Sequence, residues 1–219
     1  MPVKVGLKYI DIWGESMEEQ VISYEREPIE KGKIVFYGSS TFTRWSNKFG
    51  MRPLSECILG KSGAKCVINR GFGSSCAEHQ LYYYPRLIRP LAPDVLVYLP
   101  FGNYSGFGYS AEENWELAQR VLAYAKTDFP NIKIYLCPCN PVKKEINLTT
   151  RRNAAQSVSF MRSYCEENDN CELIDISGYK EFNSRKDIFV EDHVHLNQMG
   201  YDMYGEIMRT ALSKELDRY

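Results

Sequence analysis

The sequence predicts an α/β fold, a three-layer α/β/α sandwich built on about five parallel strands. Three observations predict it. Short β-rich runs alternate with longer stretches of helical period along the 219 residues. The runs "IVFY" and "VLVYL" show little polar alternation, as strands covered on both faces require. The segments between the runs are too long for hairpin turns and suit the crossovers that join parallel strands.

Taken in order, residues 1–30 are a polar lead-in with aromatic punctuation, expected to add a strand or to lie as an arm across the domain. Lys33 to Tyr37 is the first strand, closed by Gly38, Ser39 and Ser40. Cys66 to Asn69 is the second, followed by "RGFGSS" and a helix over 76–89, where at least one ring of Tyr82, Tyr83 and Tyr84 must face the sheet. Asp94 to Leu99 leads through "PFGNYSG" to a helix over 111–128. Ile132 to Cys137 and a helix over 149–167 come next, then Glu172 to Ile176 and a last helix over 197–215. No repeat, low-complexity tract or linker interrupts this series, so one domain is expected.

With 27 basic and 28 acidic residues, the chain has no global field to draw it to nucleic acid or an anionic membrane. A small molecule is the expected partner, without membrane insertion. Seven cysteines at 57, 66, 76, 137, 139, 165 and 171 make an odd number, several of them in apolar runs. The opening stretch "MPVKVGLKYIDIWGESMEEQ" carries charges where a secretory leader would be apolar. Reduced thiols and a cytoplasmic location are therefore expected.

In such a sandwich the working residues gather outside the carboxyl ends of the strands. Ser39 and Ser40 stand there, where the ordinary role of a serine is to cap a helix. A nucleophilic role requires a base and a group to orient it. Three histidines exist: His79, His193 and His195. Asp192 and His195 are three residues apart, a spacing that lets a carboxylate hold one ring nitrogen and leave the other free. This makes Ser40, His195 and Asp192 a candidate triad, its members assigned by role rather than by chain order. His193 is too near Asp192 for that geometry, and His79 reads as a partly exposed helix residue. Backbone N–H groups of "NRGFGSS" and the amide of Asn103 are candidate oxyanion donors.

Neither His193-x-His195 nor Cys137-x-Cys139 has the paired spacing of an established zinc site, and Gly71-Phe-Gly73 only approaches a dinucleotide fingerprint. No metal or organic cofactor is expected. No G-x-S-x-G occurs, so the nucleophile elbow of the α/β-hydrolases is absent.

Four blocks, "IVFYGSSTFTRW", "INRGFGSS", "VLVYLPFGN" and "DHVHLNQMGY", resemble those of the SGNH, or GDSL-like, hydrolases in the same order over residues 34–201. The resemblance implies a flavodoxin-like sandwich and a serine esterase. Ser40 would be its nucleophile, His195 the base, Asp192 the partner of the base and Asn103 a side-chain oxyanion donor. Ser39 replaces the aspartate of many members. Gly73-Ser74 stands where members often have Gly-Gly, leaving either Ser74 or Gly73 as the backbone donor beside the N–H of Ser40. The expected substrate is a small or carbohydrate-linked acyl ester, with Phe101, Tyr104, Phe107 and Tyr109 as candidates to stack on a sugar or line an acyl pocket. The rival is a non-catalytic binding module on the same fold.

Overall fold

The computed structural model describes residues 6–143 and 148–219. Its elements are α1 (Gly14–Glu25), β1 (Ile34–Gly38), α2 (Ser40–Thr43), α3 (Leu54–Cys57), β2 (Val67–Gly71), α4 (Ala77–Leu87), β3 (Val95–Tyr98), α5 (Ala111–Asp128), β4 (Lys133–Leu136), α6 (Leu148–Glu166), β5 (Cys171–Leu173), α7 (Lys180–Ser184), α8 (Gln198–Ala211) and α9 (Ser213–Leu216). All strand pairs are parallel, in the order β2-β1-β3-β4-β5. That is the flavodoxin-like order, in which the chain reverses its winding beside β1 and opens a crevice there.

Every residue of β1 is buried because successive side chains enter different cores. Val35 and Tyr37 join Leu96 and Tyr98 under α1, α4, α5 and α6. Ile34 and Phe36 join Val95 and Val97 under α2, α3 and α8. The unbroken apolar runs are thus two period-2 stripes laid over each other.

The lead-in departs from expectation. It contributes α1, a twelve-residue helix, rather than a strand or an extended arm; residues 1–5 lie outside the described part. Met17 and Val21, one turn apart, are fully buried in the first core, while most of the helix stays polar. A stripe of two residues is a faint helical signal, and docking on α4 supplies the stabilisation that periodicity does not advertise. The predicted last helix is divided into α8 and α9, and β5 lies earlier than predicted, at Cys171–Leu173.

Glycines set two close approaches near the sheet's carboxyl edge. A Cβ on Gly71 would lie 2.5 Å from the Cβ of Phe42, and one on Gly102 would collide with the Oγ of Ser39. The loops after β2 and β3 can press onto the start of α2 only because both positions lack a side chain.

Among the described residues, no helix is long and apolar enough to cross a membrane. Nor does any group of three or more His, Cys, Asp or Glu side chains among them suit a metal ion.

Candidate active site

Ser40 is the first residue of α2 and emerges directly from β1, beside the crevice. Neither serine acts as a side-chain cap there. Ser39 occupies the N-cap position without a side-chain cap bond and is buried beneath Gly102. Ser40 instead places its Oγ 3.0 Å from Nε2 of His195.

His195 comes from a loop bent back on itself before α8. Phe189 and Leu196 form an antiparallel bridge, and the N–H of Val190 donates to the carbonyl of His195. His193 sits at the bend with φ +60° and is exposed. Asn197 closes the loop by accepting the N–H of Gly200 and donating to the carbonyl of Asp187. Gly200 must be glycine, since a Cβ would come within 2.5 Å of the Ile188 carbonyl.

Asp192 receives Nδ1–H of His195 on Oδ2 at 2.6 Å, while its Oδ1 accepts the N–H groups of Val194 and His195, both at 2.9 Å. Burial works to raise this carboxyl's pKa. The N–H and ring of His195 and the N–H of Val194 outweigh that effect and hold it at about 2. A carboxylate held ionised and facing Nδ1 sets the tautomer of the ring, leaving Nε2 as an acceptor toward Ser40. Arg44, at 3.4 Å from Oδ2, adds a positive neighbour on the solvent side. Asn140 ties the two halves of the site, accepting from the Thr41 hydroxyl and donating toward the Val194 carbonyl.

Gly73, Ser74 and Asn103 line the same open cavity, of about 590 Å³, as Ser40 and His195. Ser74 has φ +64°, in the left-handed region that glycine enters more easily. Asn103 likewise has φ +56°, a conformation asparagine tolerates, and its Nδ2 donates to the carbonyl of Ser75 at 3.0 Å. The Gly73 N–H is engaged elsewhere, donating to Oε1 of Gln20 at 2.7 Å. Among the described residues, the N–H groups of Ser40 and Ser74 have no protein acceptor. The arrangement offers an oriented imidazole base against a hydroxyl, with unengaged N–H groups on the same cavity, as acyl transfer requires.

Two expectations from the sequence do not hold in the structure. The aromatic residues after β3 do not line the cavity: Phe101, Tyr104 and Tyr109 are buried in the first core, and Phe107 packs on His79. Phe101 stacks on Trp115, and the Tyr109 hydroxyl donates to Glu78. His79 is fully buried rather than partly exposed, because residues 6–13 fold over the start of α4 and the carbonyl of Tyr9 meets its ring. Of the three adjacent tyrosines, Tyr83 and Tyr84 are buried and Tyr82 is exposed.

The cavity is also walled by residues that no sequence motif marks, from α1, with Ser16, Glu19, Gln20 and Ser23, and from the stretch after Ser40 that ends at Lys48 and Phe49. The recurrence of Gln20, Tyr24 and Glu27 at helical spacing beside the buried Met17 and Val21 is the signal that points to this face.

No model of a known protein family matches the sequence, and no curated protein matches it either. Solved structures do. A protein assigned as an acylhydrolase from Bacteroides fragilis superposes with a TM-score of 0.69 at 18% identity, covering 95% of this chain and 99% of that one. A GDSL-like lipase from Bacteroides thetaiotaomicron gives 0.68 at 16%, covering 93% and 98%. A catalytic mutant of an acetylxylan esterase from Geobacillus stearothermophilus gives 0.65 at 14%, covering 84% and 95%. The chain therefore has the sandwich fold of these GDSL-type hydrolases over nearly their whole length.

Proposed function

We propose that this chain is an SGNH-type serine esterase that transfers an acyl group from a small or carbohydrate-linked ester to water. The observation that carries the reading is the relay from the Ser40 hydroxyl through His195 to Asp192, with bonds of 3.0 and 2.6 Å, opening onto a mostly polar cavity. The folds named above support it as a class, and a binding-only module has no need of an oriented base.

In this mechanism the Ser40 oxygen attacks the ester carbonyl carbon as its proton passes to Nε2 of His195. Asp192, ionised, stabilises the imidazolium through Nδ1–H. The N–H groups of Ser40 and Ser74 and the free half of the Asn103 amide meet the tetrahedral oxyanion; loss of one such donor costs about 3 kcal/mol of barrier. Collapse breaks the ester C–O bond, the alcohol leaves with the proton from His195, and an acyl-Ser40 ester remains. Water then attacks that ester with His195 again as base, releasing the acid and restoring the Ser40 hydroxyl. The polar banks of the cavity favour a short acyl group on a hydroxylated alcohol over a long alkyl chain.

The test is hydrolysis of p-nitrophenyl acetate together with labelling by a fluorophosphonate. The expected result is labelling at Ser40 in the wild type, loss of both signals in Ser40→Ala, and retention of most activity in Ser39→Ala. Equal activity in the two variants, or no labelling of the wild type, removes Ser40 from the mechanism and leaves the binding-module reading in place.

A further inference from the structure

The helix α1 grips the turn between β2 and α4 at successive points one turn apart. Oε1 of Gln20 accepts the Gly73 N–H at 2.7 Å, and the Tyr24 hydroxyl donates to the Gly71 carbonyl at 2.5 Å. Glu27, just past the helix end, pairs with Arg70 at 2.6 Å, and the Arg70 guanidinium lies 4.9 Å from the centre of the Tyr24 ring. The Gln20 amide is itself oriented, since its Nε2 donates to the Ser16 carbonyl at 2.9 Å. Turned over, the amide would set an NH2 group against the Gly73 N–H and a carbonyl oxygen against a carbonyl oxygen, losing both bonds.

We propose, on the basis of the esterase reading above, that Gln20 is a positioning residue for ester hydrolysis: it holds the Gly73 N–H outside the oxyanion hole and locks the turn so that Ser74 supplies the backbone donor. Three observations meet at this point. The Gly73 N–H has its partner in Gln20, whereas the Ser74 N–H has none among the described residues. Ser74 is held at φ +64°, a conformation with a cost for a residue bearing a Cβ, so the turn needs external restraint to stay there. The far side of the turn is already fixed, because the Phe72 N–H donates to the Gly38 carbonyl and the Ser75 hydroxyl donates to the Phe72 carbonyl. Gln20 restrains the near side, across 53 residues of chain. The lead-in helix is thereby part of the catalytic geometry as well as a wall of the cavity.

The experiment compares kcat and KM for p-nitrophenyl acetate in the wild type, Gln20→Met, Gln20→Asn and Glu15→Ala, with Tm for each. Methionine keeps the length of Gln20 without its amide. Asparagine keeps the amide but is one methylene too short to reach Gly73, and it guards against a folding artefact. Glu15 is on the same helix and does not line the cavity. In both Gln20 variants kcat should fall on the order of tenfold to a hundredfold at near-constant KM, less than for outright loss of a donor. Glu15→Ala should match the wild type. A wild type that is active and labelled at Ser40, with kcat retained in both Gln20 variants, overturns the positioning role and leaves the esterase reading intact. The same follows if the loss falls on KM alone, which makes Gln20 a substrate contact. A wild type with neither activity nor labelling overturns the esterase reading first.

Discussion

Two imidazoles in this molecule lie beside a nucleophilic side chain at the start of a helix, and each belongs to a pair three residues apart. At one, His195 faces Ser40 and is held by Asp192; at the other, His79 has Nδ1 3.2 Å from the Sγ of Cys76. The two sites differ in what their second ring nitrogen meets and in access to solvent. A carboxylate meets Nδ1 of His195, leaving Nε2 as a base toward an open cavity. A peptide carbonyl, that of Tyr9, meets Nε2 of His79, and Nδ1 accepts the Cys76 N–H as part of a capping box. Burial then pushes the Cys76 thiol up to about 11 and holds the His79 imidazole below its ordinary value, against the opposite pull of Glu78 and the Tyr9 carbonyl. Neither partner ionises at neutral pH, so the buried pair is a structural cap. A nucleophile and a base in contact make a site only when a third group orients the base toward the nucleophile and the nucleophile can be reached.

The largest effects should fall entirely on the open site. Ser40→Ala should lower kcat by roughly 10⁴-fold or more, while Cys76→Ala leaves it within about twofold. A comparable loss in Cys76→Ala would erase the distinction between the two sites. Asp192→Asn should come next, at roughly 10³ to 10⁴ in kcat, because an amide at this position no longer selects the Nδ1–H tautomer. Steady-state kinetics with p-nitrophenyl acetate would measure both.

The smallest effect is a pH dependence of stability at the closed site. Because His79 is held below the ordinary imidazole value of about 6.5, the unfolded chain binds the extra proton between its folded pKa and that value. The stability that the neutral ring contributes is therefore present above this window and lost as pH falls through it. Thermal unfolding across this range should show a drop in wild type that is reduced in His79→Gln. That variant should also be less stable at neutral pH by about 1 to 3 kcal/mol, from polar groups left without partners. An unchanged slope in His79→Gln would mean that the ring does not titrate as a buried group.

The parallel sheet and the four loop blocks were legible because their signals are local. The central strands show as apolar runs ended by glycine or proline, and the Asp192–His195 contact is set by a spacing of three residues within one loop. Ser40 stands two residues past the end of β1, so the strand itself carries it to the carboxyl edge of the sheet. By contrast, Phe101, Tyr104 and Tyr109 read in the sequence as candidate ligand contacts, since a loop aromatic carries no mark of whether a helix will cover it. Here α5 covers Phe101 through Trp115, and Glu78 draws Tyr109 inward.

Local chemistry thus marks the α/β class, the strands, the serine, the carboxylate–imidazole pair and the loops that could supply donors, because each rests on neighbouring residues. Long-range packing makes residues 14–25 a helix against α4, seals His79, and gives the N–H of Gly73 to Gln20 while leaving that of Ser74. The two sets differ in range. A period or a turn is stabilised within a few residues, whereas the partner of a side chain 53 positions away follows from which surfaces pack and which backbone groups the packing leaves unpaired.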